Sequence, residues 1–334
     1  MKRKIIKQGH NTLTMTLPSK WAQKFNLHAG DEVDLSERDN GLFISTERHN
    51  DHLRVVIDIR GFDVPSVWKY FMAVYREGYD EVKVIYDPHE TYAPALKFFS
   101  ASITSLKTNT KLQKFSALET IRQMMGRFIG YEVIEHHDDY CIIKDMGEPT
   151  SKEFETSLRR IFLLLQQMGE EMLETVKKND TVYAKNIHDA DINLDKFHDY
   201  CIRVLNKTGF KEVRKAHILF STLYLLELLG DEFKSIAFHV LEDVRTSELK
   251  NLEPLATVVV DQVNKFYDLF YKYDKEKLKH MSQNDIEVRF FMPKLRKKLG
   301  KNWVTPMEVE LMSHFRRISR YINALIELRV EMEF

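Results

Sequence analysis

Polar and apolar residues change their rhythm twice along this chain. In Thr12–Leu17 (TLTMTL) they alternate with period two, the spacing of a strand with one face buried. The first 48 residues predict further short strands at Lys4–Lys7, Glu32–Ser36 and Leu42–Thr46. Pro18 opens one short helix, Ser19–Phe25, and Gly30-Asp31 and Asn40-Gly41 supply turns. From 52 to 146 the pattern is mixed. Leu53–Arg60 and Glu81–Tyr86 read as strands, Val64–Glu77 and Lys111–Ile129 as helices. Tyr131–Glu135 and Tyr140–Lys144 read as a hairpin. From about 150 onward strands vanish and apolar residues recur at spacings of three and four. Six helices are predicted at 151–178, 181–206, 210–242, 252–273, 275–299 and 305–332, broken at Asn179-Asp180, Gly209, Glu253-Pro254, Asp274 and Pro306. Three plus three helices of similar length suggest an internal duplication, each half closing its apolar faces as a three-helix bundle. The fold class is therefore multidomain α+β. It comprises an N-terminal β domain (1–48), a small α/β module (52–146) and an all-α pair of three-helix bundles (150–334, repeats about 150–242 and 252–334).

Composition narrows the function classes. Lys+Arg and Asp+Glu are both 50, so a globally basic nucleic-acid binder is excluded while a local basic patch is not. The longest apolar runs, such as Ile218–Leu229, are too short and too polar to span a bilayer, and MKRKIIKQGHNT lacks the apolar core of a signal peptide. Cys141 and Cys201 stand far apart in no C-x-x-C frame, which fits a reducing, cytoplasmic setting. No Gly-rich phosphate loop, G-x-S-x-G or H-E-x-x-H occurs, so an enzyme is the least favoured class.

The run TLPSKWAQKFNLHAGDEVDL carries Leu17-Pro18, Trp21, Leu27, Gly30-Asp31 and Val33, followed by a hairpin ending in Leu42 and Ile44. In these residues the first 48 positions resemble the AbrB/SpoVT (MazE-like) swapped-hairpin family. Independently of the family, four short strands and one small helix make too small a sheet to close a core, so a homodimer that exchanges hairpins is implied. Lys2, Arg3, Lys4 and Lys7 cluster at the entry, with Asn11 and Thr12 following. Charge alone reads them as solvated. The resemblance implies instead that this face contacts DNA, as in many family members, although some members bind a protein partner as antitoxins.

The segment KKNDTVYAKNIHDADINLDKFHDYCIRVLN resembles the first repeat of PhoU phosphate-uptake regulators through Asp180, Ala184, Asp191, Leu194 and Asp195. YLLELLGDEFKSIAFHV follows it through Glu227 and Asp231, with Leu228 in place of an arginine. Residues four apart share a helix face, so Asp191 and Asp195 form one carboxylate pair and Glu227 and Asp231 another. Held together, four carboxylates repel unless a cation joins them. The resemblance implies an iron, zinc, manganese or magnesium site on oxygen ligands, with phosphate as a bridging anion. The bland alternative is an ordinary charged helix face. The second repeat departs from the pattern: Asp285 is kept, Arg289 stands at the second acid, His314, Arg317 and Asn323 match, and Arg316 and Arg320 replace acids. Asp285 paired with these arginines, arginines binding phosphate directly, and arginines reaching to solvent are the three readings.

The combination resembles a set of regulators common in archaea. It implies a cytoplasmic, homodimeric DNA-binding regulator of phosphate uptake, partnered by DNA and by a phosphate transporter or signalling protein. Its alternative is an adaptor of such a transporter in which the hairpin domain only dimerises.

Overall fold

The computed structural model describes residues 2–9, 11–38, 41–45, 52–92, 114–147, 150–178, 181–208, 213–242, 246–299 and 304–334. Asn40, Thr46, 111–113, Asn179-Asp180 and Gly209, all used in the sequence reading, lie outside them. The chain divides into two compact units, Met1–His52 and Leu53–Phe334. Among the described residues no helix is long and apolar enough to cross a membrane.

The first unit holds two antiparallel hairpins and a short helix. Strand β1 (Ile5–Gln8) pairs with β2 (Thr12–Met15), placing Ile5 opposite Met15. Helix α1 (Ser19–Lys24) follows Pro18. Strand β3 (Asp34–Arg38) pairs with β4 (Gly41–Ser45). The β3 strand starts two residues later than the alternation predicts, because His28–Asp31 forms a turn: the Asp31 carboxylate accepts from the His28 amide (2.7 Å) and Gly30 sits at φ +103°, where a Cβ is resisted. None of the described residues of this unit is buried. Ile5, Leu13, Leu35 and Leu42 keep 64 to 68 % of their surface exposed.

The second unit begins with a four-stranded sheet in the order β5-β6-β10-β9, built from β5 (Arg54–Asp58), β6 (Glu81–Ile85), β9 (Tyr131–His136) and β10 (Tyr140–Asp145). β5 and β6 are parallel and the other pairs antiparallel. Ile57, Val82, Val84, Cys141 and Ile143 are all buried. Helix α2 (Val64–Arg76) buries Val64, Val67, Trp68, Phe71, Val74 and Tyr75, a stripe at helical spacing, and Asp63 caps it by accepting from the Ser66 amide. The helix predicted over 111–129 is the shorter α3 (Ala117–Met125), opened by a reciprocal capping box between Ser116 and Glu119. A minimal pair, β7 (Thr91–Tyr92) with β8 (Phe115–Ser116), precedes it.

Six long helices follow: α4 (Ser151–Lys178), α5 (Thr181–Thr208), α6 (Val213–Glu242), α7 (Thr246–Tyr271), α8 (Lys275–Leu299) and α9 (Pro306–Glu331). They form two three-helix bundles, α4-α5-α6 and α7-α8-α9, joined through α4 against α7 and α6 against α9. The break predicted at Glu253-Pro254 does not occur: α7 runs through Pro254. Leu252, Leu255, Ala256 and Val259 are at most 1 % exposed around it, and their packing outweighs the one backbone hydrogen bond that proline removes.

Candidate functional site

Helix α5 presents Asp191, Asp195, Asp199 and Arg203 at four-residue intervals, so all four lie along one stripe. Each meets an opposite charge from another element. Asp191 accepts from Lys234 of α6 at 2.8 Å. Asp195 pairs with Arg127, which follows α3, at 2.9 Å. Asp199 pairs with Arg76 at the end of α2 at 2.6 Å. Arg203 reaches Asp145 of β10 at 2.6 Å and donates to the carbonyls of Tyr75 (2.7 Å) and Tyr79 (2.8 Å), its guanidinium lying over the rings of Tyr75 and Tyr131. Lys207, one turn further, bonds Asp80 and Asp145. The stripe is thus the seam along which the α/β module is bolted to the first helical repeat.

Gly230 lets α6 come close to α5 at this level. A Cβ there would stand 2.9 Å from Leu194, which is itself fully buried. The approach brings Glu227 and Asp231 beside the stripe, and a cavity of about 360 Å³ opens there against Trp68, Met72, His198 and Tyr224. The structure therefore gathers Asp191, Asp195, Glu227 and Asp231 into one cluster. Lys234 bridges it, donating to Asp231 at 2.5 Å as well as to Asp191.

Five carboxylates (Asp191, Asp195, Asp199, Glu227, Asp231) share three cations (Arg76, Arg127, Lys234). Burial, then Asp231 and Asp195, push Glu227 up to about 8. Burial, then Asp195, raise Asp191 despite Lys234. Asp199 goes the other way: burial opposes its charge, but His198 and Arg76 outweigh it and hold the carboxyl below its ordinary range. The donor set is oxygen-rich, as a hard cation requires, and Asp191 Oδ1 is buried without a hydrogen-bond partner, but no three of these carboxylates bring their oxygens within 4.8 Å of one another. The Lys234 ammonium also occupies the space between Asp191 and Asp231, so a metal fits there only with that side chain swung aside.

In the second repeat Asp285 accepts from Asn323 (2.6 Å) and pairs with Arg289 (2.6 Å). Arg316 reaches the Arg289 carbonyl at 3.4 Å, and Arg320 is exposed. In the first unit Lys2, Arg3 and Lys4 precede β1, Lys7 lies within it, Asn11 precedes β2 and Thr12 opens it; all six are exposed. A further group, absent from the sequence reading, brings His239, Glu310 and His314 together with ligand atoms within 4.8 Å of one another.

Residues 6–51 match the family model of MazE, described as antidote-toxin recognition MazE, bacterial antitoxin. The chain resembles the crystal structure of the phosphate transport system regulatory protein PhoU from Streptococcus pneumoniae at 19 % identity and a TM-score of 0.45, over 55 % of this chain and 94 % of that one. No curated protein matches the chain.

Proposed function

We propose that this protein is a dimeric DNA-binding regulator of phosphate uptake, with the hairpin unit as the DNA reader and the helical repeats as the sensor. The observation that carries the reading is the first unit: a MazE-type sequence whose described residues include none that is buried in one copy, topped by a basic cluster. A second copy that exchanges hairpins would cover Ile5, Leu13, Leu35 and Leu42 and double the cluster. The phosphate role rests on the PhoU-type acids of α5 and α6 quoted from the sequence.

Four exposed cations per chain give eight per dimer. Binding of the whole protein to promoter DNA is expected to weaken about 10³-fold or more between about 50 and 200 mM salt. Combining Lys2→Ala, Arg3→Ala, Lys4→Ala and Lys7→Ala should flatten that dependence in a fluorescence anisotropy titration. A combined variant that binds as the parent does would sink the DNA reading and favour the transporter adaptor. Immunoprecipitation from phosphate-replete and phosphate-starved cells then supplies the operator.

In the sensor, the acids admit a cation only with Lys234 swung aside, and they repel a bare phosphate. A bound metal would neutralise them and give an oxyanion something to bridge. Lys234 competes for that place, so Lys234→Met is expected to raise Mn²⁺ affinity about tenfold or more by titration calorimetry. Unchanged affinity would mean that the ion goes elsewhere.

A further inference from the structure

The last helix of each bundle contributes to a second cluster, away from the acidic stripe. His239 lies near the end of α6, while Glu310 and His314 are one turn apart on α9. His314 is 6 % exposed, and its Nε2 is buried without a hydrogen-bond partner, 3.7 Å from Glu310 Oε1. The His239 ring stands 5.3 Å from the His314 ring, centre to centre.

The other nitrogen of His314 explains why Nε2 is available. Nδ1 lies 2.6 Å from Glu232 Oε2, and an ionised carboxylate can only accept, so in that bond Nδ1 carries the ring proton. Arg317 bonds the same carboxylate through Nε at 2.7 Å. A guanidinium nitrogen of Arg317 also lies 2.6 Å from Nδ1 and can only donate, so the two contacts call for opposite tautomers. The tautomer bonded to Glu232 leaves an unprotonated lone pair on Nε2, facing Glu310 and His239. A carboxylate behind a histidine that offers its far nitrogen is the arrangement that orients metal-ligating imidazoles.

We propose that His239, Glu310 and His314 form a zinc-type site, with Glu232 as the outer carboxylate that fixes His314. Two imidazoles and one carboxylate select a borderline ion such as Zn²⁺ over Mg²⁺. A tetrahedral ion holds its ligand atoms about 3.4 Å apart, so ligand atoms now within 4.8 Å of one another close onto it by rotation of both the His239 and the Glu310 side chains. The fourth position opens to water on the Glu310 side. The ion would tie α6 to α9 and so staple one repeat to the other.

The test uses untagged full-length protein, stripped with a chelator and titrated with Zn²⁺, then with Co²⁺ as a visible probe of tetrahedral geometry. One Zn²⁺ per chain with sub-micromolar affinity is expected, with excess Mg²⁺ failing to compete. His239→Ala should weaken it by about 100-fold and abolish the tetrahedral cobalt bands, and Glu232→Gln should weaken it by about tenfold. Glu310→Gln, at an exposed position that leaves the fold intact, should weaken it likewise. Asp191→Asn combined with Asp195→Asn should leave it unchanged. The site is refuted by absent Zn²⁺ binding, by His239→Ala and Glu310→Gln proteins that bind as the parent does, or by loss of the zinc only in the Asp191/Asp195 variant.

Discussion

Arg203→Met is expected to cost about 4 kcal/mol, within the range for removing one partner of a buried ion pair. The side chain is 1 % exposed and donates to the Asp145 carboxylate, to the carbonyls of Tyr75 and Tyr79 and, at 3.4 Å, to the Tyr131 hydroxyl. Methionine fills much of the volume but satisfies none of them. Asp145 keeps Lys207 at 3.0 Å, which limits the damage to its charge, while the two carbonyls lose a charged donor. The faces of Tyr75 and Tyr131 also lose a cation. Arg203→Lys should fall between the two, because an ammonium cannot reach three acceptors in a fork. Urea unfolding followed by circular dichroism reads the effect. A loss below about 1 kcal/mol would show that the seam is held by apolar packing instead.

Glu227→Gln is expected to stabilise the protein at high pH and to do nothing at low pH. The folded pKa is raised to about 8 from an ordinary 4.5, so the native state holds a proton that the unfolded chain releases. Stability therefore falls as pH rises from 4.5 to 8, and that part is recovered on acidification. Asp191 acts in the same direction. His188 and His314, whose pKa values are lowered by burial, act oppositely below 6.5, so the raw profile of the parent is mixed. The difference between parent and Glu227→Gln isolates one group. It should reach on the order of 2 kcal/mol in favour of glutamine at about pH 9, and shrink toward zero at about pH 4, where both side chains are neutral. A difference that does not change with pH would place the Glu227 carboxyl in ordinary solvent.

Both predictions concern contacts that were only half visible in the sequence. The stripe Asp191, Asp195, Asp199, Arg203 is legible as a four-residue repeat, and Lys234 stands three residues from Asp231, within reach on the same helix. Arg76 and Arg127 are not legible, because which face of the α/β module meets α5 depends on tertiary packing more than sixty residues away in the chain. The long helices follow from periodicity, and 151–178 and 275–299 have the predicted bounds. Where the reading slipped, a local signal was present or was overridden. Ser116 and Glu119 spell the capping box that starts α3, six residues after the start that apolar spacing suggested. Pro254 reads as a stop, and the buried residues on both sides of it outvote the proline. The pairing of His239 with Glu310 and His314 spans two helices, so no spacing in one of them announces it.

A first unit with no buried residue among those described also has a dosage consequence. If its core forms only when two chains meet, its folding is second order and follows the square of the free-chain concentration. At low copy number most hairpin units would stay open to proteases while the helical unit persists. A modest rise in synthesis would then give a steep rise in complete dimers. A chain damaged only in its helical half would still capture intact partners, so such alleles would be dominant over the normal copy.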